Sequence, residues 1–330
     1  MITNPLGFAG QSHQTAQTRH GWSKALQLPP DLYPGVGGKR FRATLLQRAF
    51  EFAGGEGQAP TMVIDAVEML HTGSLVIDDF EDDSRTRRQQ PALHQVIGTA
   101  RAVNAGNWMY FRALELAASA YDDSARCAGL LKKFIEVARQ CHEGQAIDLS
   151  TRVDEVTPRQ AQATALAISR WKTGRLVGLA AWCGGHAAAG SPETLRAVAA
   201  FGCHVGICLQ MKNDLDELRE FISGAERCDD LKNRRVTWPW AWAAADLSAV
   251  GFAALQQRLE QQQRASLRGL ASKLLEVTLE RAMRAINTRL DRAVERLSAV
   301  TPGGPDVGLL AEVTNALRIT TAPVEAEASR

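Results

Sequence analysis

Five carboxylates crowd into six positions in the segment SLVIDDFEDDSRTRR: Asp78, Asp79, Glu81, Asp82 and Asp83, with Arg85, Arg87 and Arg88 just beyond. Asp78 and Asp82 are four apart, so a helix would project both from one face, about 6 Å apart along its axis. Two carboxylates at that distance repel by about 3 kcal/mol at an effective dielectric of ~20. Acidic residues at a helix C-terminus also oppose the macrodipole. Such a cluster suits hard cations, and Mg²⁺ shared with a phosphate group is the expected partner. A solvated acidic helix end would have the same composition.

A second cluster occurs in LQMKNDLDELRE, where Asn213 and Asp214 precede Glu217 at the end of the apolar run AVAAFGCHVGICL. Asp214 and Glu217 stand at i, i+3 on one helix face. Two clusters of this kind can face each other across a helical bundle and hold several Mg²⁺ ions around a diphosphate. Basic residues supply the complement: Lys39 and Arg42 in GGKRFR, His71 two helical turns before Asp78, and Lys172 in Lys172-Thr173-Gly174, which interrupts another helix. Singly, these read as surface charge, a core imidazole and a snorkelling lysine. Together they suggest one diphosphate site bridged by metal and one held by cations directly.

The elements that must position these groups are helices. Proline and glycine are widely spaced, leaving long intervals of Ala, Leu, Arg, Glu and Gln, and apolar residues recur at helical spacing, as in Leu130, Leu131, Phe134, Ile135 and Ala138. Helices are expected over about 38–53, 60–79, 95–121, 124–150, 158–188, 192–222, 238–245, 251–264, 265–299 and 305–317. Ser191-Pro192 and Thr157-Pro158 each pair a capping residue with proline at the first helical position. The fold class is all-α. A single helical domain with a central active-site cavity is expected over 21–320, between a flexible segment 1–20 and a flexible tail 321–330.

Composition excludes several other classes. Of 330 residues, 45% are hydrophobic, enough for a sizeable core, and 38 basic residues nearly balance 36 acidic ones. No basic face for nucleic acid is expected. Six scattered cysteines without a C-x-x-C pair read as reduced core thiols. No signal peptide and no membrane span are expected, because the apolar stretch 176–190 is too short and glycine-broken. The expected location is cytoplasmic.

With these motifs in order, the chain resembles the trans-isoprenyl diphosphate synthases, most closely the short-chain geranylgeranyl diphosphate synthases. The resemblance runs from about Gly37 to Pro239 through GGKRFR, EMLHTGSLVIDDFEDDSRTRR, HQVIGTARAVNAGNWMYF, HEGQAIDL, KTG, LQMKND and TWP. It implies an isoprenoid-synthase helical bundle, a homodimer, and up to three Mg²⁺ per active site bound with diphosphate. Asp78, Asp79, Asp82 and Asp214 would bind the metal. Lys39, Arg42, His71 and Arg88 would hold isopentenyl diphosphate, and Arg87 and Lys172 the allylic diphosphate. Lys172, Thr173 and Gln210 would act around the developing carbocation, with Gln145 and Asp148 supporting the pocket. Small residues at Gly73 and Ser74 would leave the product tunnel open past C15. Trp108, Tyr110, Phe111 and His142 would lie deeper around its floor, giving a C20 product.

Several positions depart from the family pattern. The second motif begins Asn213-Asp214 in place of a second Asp-Asp, and the usual downstream Gly-Lys is Arg234-Arg235. Gln89 replaces a glycine, and Arg227 stands near where a lysine before Asp229 is usual. The Asn-Asp start also occurs in class I terpene cyclases of the same fold, although Glu217 and Phe221 leave that motif incomplete. A cyclase would have no use for an isopentenyl diphosphate site. A weakly active regulatory subunit of a synthase heteromer is a third possibility raised by the altered motif.

Overall fold

The computed structural model describes residues 41–87, 90–260, 263–300 and 307–319. Lys39, Arg88, Gln89, the segment 1–20 and the tail 321–330 lie outside the described residues. Within them the chain forms helices α1 (Phe41–Phe52), α2 (Thr61–Glu81), α3 (Leu93–Ile97), α4 (Thr99–Ala118), α5 (Ser124–Ser150) and α6 (Pro158–Ile168). A π-helical turn, Ser169–Gly174, follows. Then come α7 (Arg175–Ala187), α8 (Pro192–Ile222), α9 (Asp229–Lys232), α10 (Trp238–Asp246), α11 (Ala249–Arg258), α12 (Arg264–Val300) and α13 (Gly308–Asn315). Thr86–Arg87 and Gln90–Pro91 pair as a two-residue antiparallel ribbon, the only sheet among the described residues.

Capping chemistry sets several helix starts. The Asp123 carboxylate accepts from the Ala125 amide at 2.8 Å and opens α5. Thr157 and Gln160 form a reciprocal capping box at α6, with Pro158 at the first position. Ser191 accepts from the Thr194 amide ahead of α8. Two expected helices are divided. Gly98, at φ 82°, separates α3 from α4, a conformation open to glycine at little cost. The stretch 158–188 is interrupted by the π-helical turn.

Helix α7 lies between α1 and α8, α2 packs along α4, and α8 rests on α12. At one crossing, a Cβ built on Gly73 would stand 2.9 Å from the Gly106 carbonyl, so glycine lets α2 approach the α4 backbone. By length and composition alone α8 is long and apolar enough to cross a membrane, and 44% of its apolar window is buried inside the fold. Trp238, Trp240 and Trp242 are buried in the core cluster that includes α8, α10 and α12. Trp240 meets Phe252 edge-on, with ring centroids 6.0 Å apart. The aromatic group is therefore core packing. The cysteines are free, and Cys127, Cys183, Cys208 and Cys228 are buried.

Candidate active site

A cavity of about 1080 Å³ opens between α2, α5, the π-helical turn and α8. The helical period selects what faces it: His71, Ser74, Asp78 and Asp82 recur at three- and four-residue spacing along α2 and its C-terminal cap. Gln210, Asn213, Asp214 and Glu217 repeat the pattern on α8. The two acidic clusters thus border the same space.

The π-helical turn supplies the third wall. Its extra residue per turn presents Lys172 and Thr173 together to the cavity. Gly144 of α5 makes room, since a Cβ there would fall 2.6 Å from the Lys172 amide. Lys172 Nζ donates to Asp78 Oδ1 at 2.8 Å and to Asp148 Oδ2 at 2.9 Å. Gln145 Nε2 donates to Asp78 at 3.0 Å and to Glu81 at 2.7 Å. Its buried Oε1 has no hydrogen-bond partner.

Each aspartate of the first cluster has a different environment. Burial works against ionisation of Asp78, but Lys172 and Arg87 outweigh it and hold its pKa below the usual value. Asp79 turns away from the cavity, 3% exposed, and Arg87 Nε donates to it at 2.8 Å. The expected metal-ligand role of Asp79 and the allylic-diphosphate role of Arg87 therefore meet in one ion pair. Burial and the neighbouring Asp78 push Asp82 up to about 6, although Arg235 is paired with it.

On the opposite wall, Thr173 Oγ1 donates to Gln210 Oε1 at 2.6 Å, and Gln210 Nε2 donates to Asp214 Oδ1 at 2.7 Å. The Trp238 amide donates to Asp214 Oδ2 at 2.9 Å. Burial nevertheless raises Asp214 to about 7. Asp230 is pushed well above the carboxylate range by burial and by Glu217, whose Oε1 accepts from the Asp230 amide at 3.1 Å.

Arg42 and His71 border the cavity, with Arg42 Nη1 and His71 Nε2 2.8 Å apart. Tyr110 and His142 line it and meet edge-on, with ring centroids 5.4 Å apart. The other expected floor residues stand elsewhere. Phe111 is 71% exposed on the outer side of α4, one helical position (about 100°) round from Tyr110. Trp108 packs against the Val76, Leu93 and Met109 cluster. Gly73 faces Gly106, and a Cβ there would also stand 3.2 Å from Tyr110 Cδ1, so its small size serves helix packing beside the cavity. Ser74 does line the cavity.

Motif reading missed part of the site. Arg235 Nη1 donates to the Asp148 carbonyl at 2.7 Å while also pairing with Asp82, tying the α9–α10 connection to both α2 and α5. Arg234, where the family pattern has glycine, sits at φ 56° and pairs with Asp154. That left-handed backbone is the strain glycine would avoid. Ser84 donates to Asp229 Oδ2 at 2.9 Å, and Lys232 contacts Asp83 at the same distance. The acidic pair in RCDDLKNRR, followed by three basic residues within six positions, was the available signal.

Among the described residues, no three His, Cys, Asp or Glu side chains converge as a closed metal cage. The donors are nevertheless hard oxygens on two facing walls, which suits Mg²⁺ because that ion keeps waters and combines one or two carboxylates with substrate phosphates. Asp78, Asp82 and Asp214 are the residues present that fit this mode.

The chain belongs to the polyprenyl synthetase family, whose model matches residues 23–273. It is 32% identical over 155 residues to geranylgeranyl pyrophosphate synthase D of Phomopsis amygdali, covering 46% of this chain and 36% of that protein. It is also 32% identical over 219 residues to (2E,6E)-farnesyl diphosphate synthase of Mycobacterium tuberculosis, covering 65% of this chain and 59% of that protein. The matches thus span from about a third to three fifths of these relatives. A polyprenyl synthase from Caulobacter crescentus, solved with calcium and isoprenyl diphosphate, superposes with a TM-score of 0.74 at 23% identity, covering 92% of this chain and 94% of that one. Geranylgeranyl pyrophosphate synthase from Lactobacillus brevis gives 0.73 at 19%, covering 93% and 91%. These structures share the all-α fold.

Proposed function

We propose that the chain is a Mg²⁺-dependent prenyltransferase that condenses isopentenyl diphosphate with an allylic diphosphate, giving geranylgeranyl diphosphate. The observation that carries this is the meeting, around one cavity, of Asp78 on α2 and Asp82 at its C-terminal cap, Asp214 on α8, and the separate cationic pair Arg42–His71. One anion subsite lies beside carboxylates and the other beside an arginine. That asymmetry fits two diphosphate substrates with different fates.

Asp78, Asp82 and Asp214 would hold Mg²⁺, which when bound supplies charge neutralisation for a departing diphosphate. Lys172 already lies 2.8 Å from Asp78, so it is placed to donate to the same leaving group. Arg42 and His71 orient isopentenyl diphosphate so that its double bond reaches the allylic C1. Thr173 Oγ1 and Gln210 Oε1 direct oxygen dipoles toward the cationic carbon, and Leu176 and Leu209 add apolar lining that restricts water. A new C–C bond forms as the allylic C–O bond breaks, and the proton lost from the isopentenyl unit leaves with the released diphosphate. The Tyr110–His142 pair closes the far end and limits chain growth.

Asn213 favours attention to a second possibility, a terpene cyclase, because it lines the cavity where the family pattern has aspartate. Arg42 and His71 argue for condensation. Incubation with geranyl diphosphate and Mg²⁺, with or without isopentenyl diphosphate, separates the two. Diphosphate release that requires isopentenyl diphosphate is expected; equal release without it, accompanied by a hydrocarbon, would contradict the proposal. Robust turnover by the purified single chain excludes a merely regulatory subunit. Homodimer formation and a cytoplasmic location are proposed from family resemblance and the sequence.

A further inference from the structure

Away from the active cavity, α12 carries a row of guanidiniums with no part in the proposed chemistry. Arg281, Arg284, Arg289, Arg292 and Arg296 line a second cavity of about 480 Å³ together with His204 of α8. Their spacings of three, five, three and four residues keep them along one side of the helix over about 22 Å.

Their charges are unevenly matched. Arg281 pairs with Asp246 and Arg284 with Glu280. Arg289, Arg292 and Arg296 form no ion pair among the described residues. Arg289 Nη1 lies 3.3 Å from His204 Nδ1, and Arg296 Nη1 lies 3.1 Å from Nε2. Burial and the cations of Arg289, Arg296 and Arg170 hold His204 down to about 4, so its ring is neutral at physiological pH. A neutral imidazole has one acceptor nitrogen and one N–H. It can satisfy only one of the two guanidiniums, leaving the other facing a donor. Arg289 and Arg296 therefore share a single acceptor, and Arg292 lines the same concave site beside them.

Met211 of α8 and Trp238 of α10 add apolar lining, and Ala285 lies among the arginines on α12. Several guanidinium forks suit bidentate phosphate recognition better than a single carboxylate. We infer that this cavity binds a diphosphate group, at a site separate from both substrate diphosphates, with the apolar wall able to accept a short attached chain. Only the choice of ligand source, free inorganic diphosphate or a prenyl diphosphate, rests on the proposed reaction. The ligand would lie against Trp238, whose backbone amide holds Asp214 on its other side.

Calorimetric titration of the full chain in EDTA tests this with inorganic diphosphate and, separately, geranyl diphosphate. An Arg42→Ala/Lys172→Ala background weakens anion binding at both substrate positions of the active cavity. In that background, saturable binding is expected to persist and to weaken at least about 10-fold when Arg292→Gln and Arg296→Gln are added. Thermal melts check that the added changes leave folding intact, and prenyl transfer by Arg292→Gln/Arg296→Gln alone should stay near the parent level. Tighter binding of inorganic diphosphate assigns the released coproduct; tighter binding of geranyl diphosphate assigns a prenyl ligand on the apolar wall. No saturable binding, or binding indifferent to the two glutamines, overturns the inference. These outcomes do not depend on whether the chain makes C20.

Discussion

Lys172 Nζ and Asp78 Oδ1 are 2.8 Å apart, joining the π-helical turn to the acidic end of α2. The same ammonium reaches Asp148 at 2.9 Å, so one cation holds two carboxylates from different helices. Such a cation can turn toward a substrate phosphate when metal charge takes over at Asp78. Lys172→Ala is expected to lower kcat/KM by about 100-fold or more, the scale for removing a donor aimed at developing charge. Steady-state kinetics with varied allylic substrate would check this, and a loss below about threefold would remove Lys172 from that role.

Arg42 is assigned to the other substrate. Arg42→Ala should raise the KM for isopentenyl diphosphate by roughly 10- to 100-fold, from the loss of about 1.5–3 kcal/mol of charged hydrogen bonding. The KM for the allylic partner should change little. Equal effects on both would place Arg42 outside a dedicated subsite.

Gly73 and Ser74 are neighbours with different duties. A Cβ on Gly73 would press on the Gly106 carbonyl at 2.9 Å and on Met109 Cβ at 3.0 Å, so Gly73→Ala must move α2 away from α4. A destabilisation of about 1–3 kcal/mol is expected, with product length unchanged. Ser74→Phe instead fills the cavity and should shorten the product, whereas Tyr110→Ala should lengthen it. Denaturant melts and product chromatography separate the packing effect from the cavity effect.

His204 gives a pH signature. Its folded-state value of about 4 lies below the ordinary 6.5 because of burial and then the Arg289, Arg296 and Arg170 cations. The unfolded chain therefore binds more protons between those values. The associated stability is complete above about pH 6.5 and falls as pH drops toward 4. Allowing for partial solvent screening, its size is about 1–2 kcal/mol. His204→Gln should flatten this part of the stability–pH curve; an unchanged slope would show that the ring titrates normally in the fold.

Much of this was legible in the chain. The Ser191-Pro192 and Thr157-Pro158 starts lie at the observed beginnings of α8 and α6. The three- and four-residue spacing placed His71, Asp78 and Asp82 on one face, as found at the cavity. An interruption at Lys172-Thr173-Gly174 was legible, but its π-helical form was not, because the extra residue accompanies close approach by Gly144 and Gly206. Phe111 and Trp108 were misplaced for a related reason: motif matching says which residues neighbour Tyr110, whereas a 100° step per residue determines which face the cavity. Arg235 reaches Asp82 from 153 positions along the chain, a pairing no local pattern carries.

The most direct measurement is product analysis with purified protein, Mg²⁺, isopentenyl diphosphate and, in parallel, dimethylallyl, geranyl or farnesyl diphosphate, alongside geranylgeranyl diphosphate alone. Accumulation of the C20 diphosphate from the allylic starters, abolished by EDTA, is the predicted result. A cyclic hydrocarbon formed from geranylgeranyl diphosphate without isopentenyl diphosphate would contradict the condensing role of Arg42, His71 and Lys172.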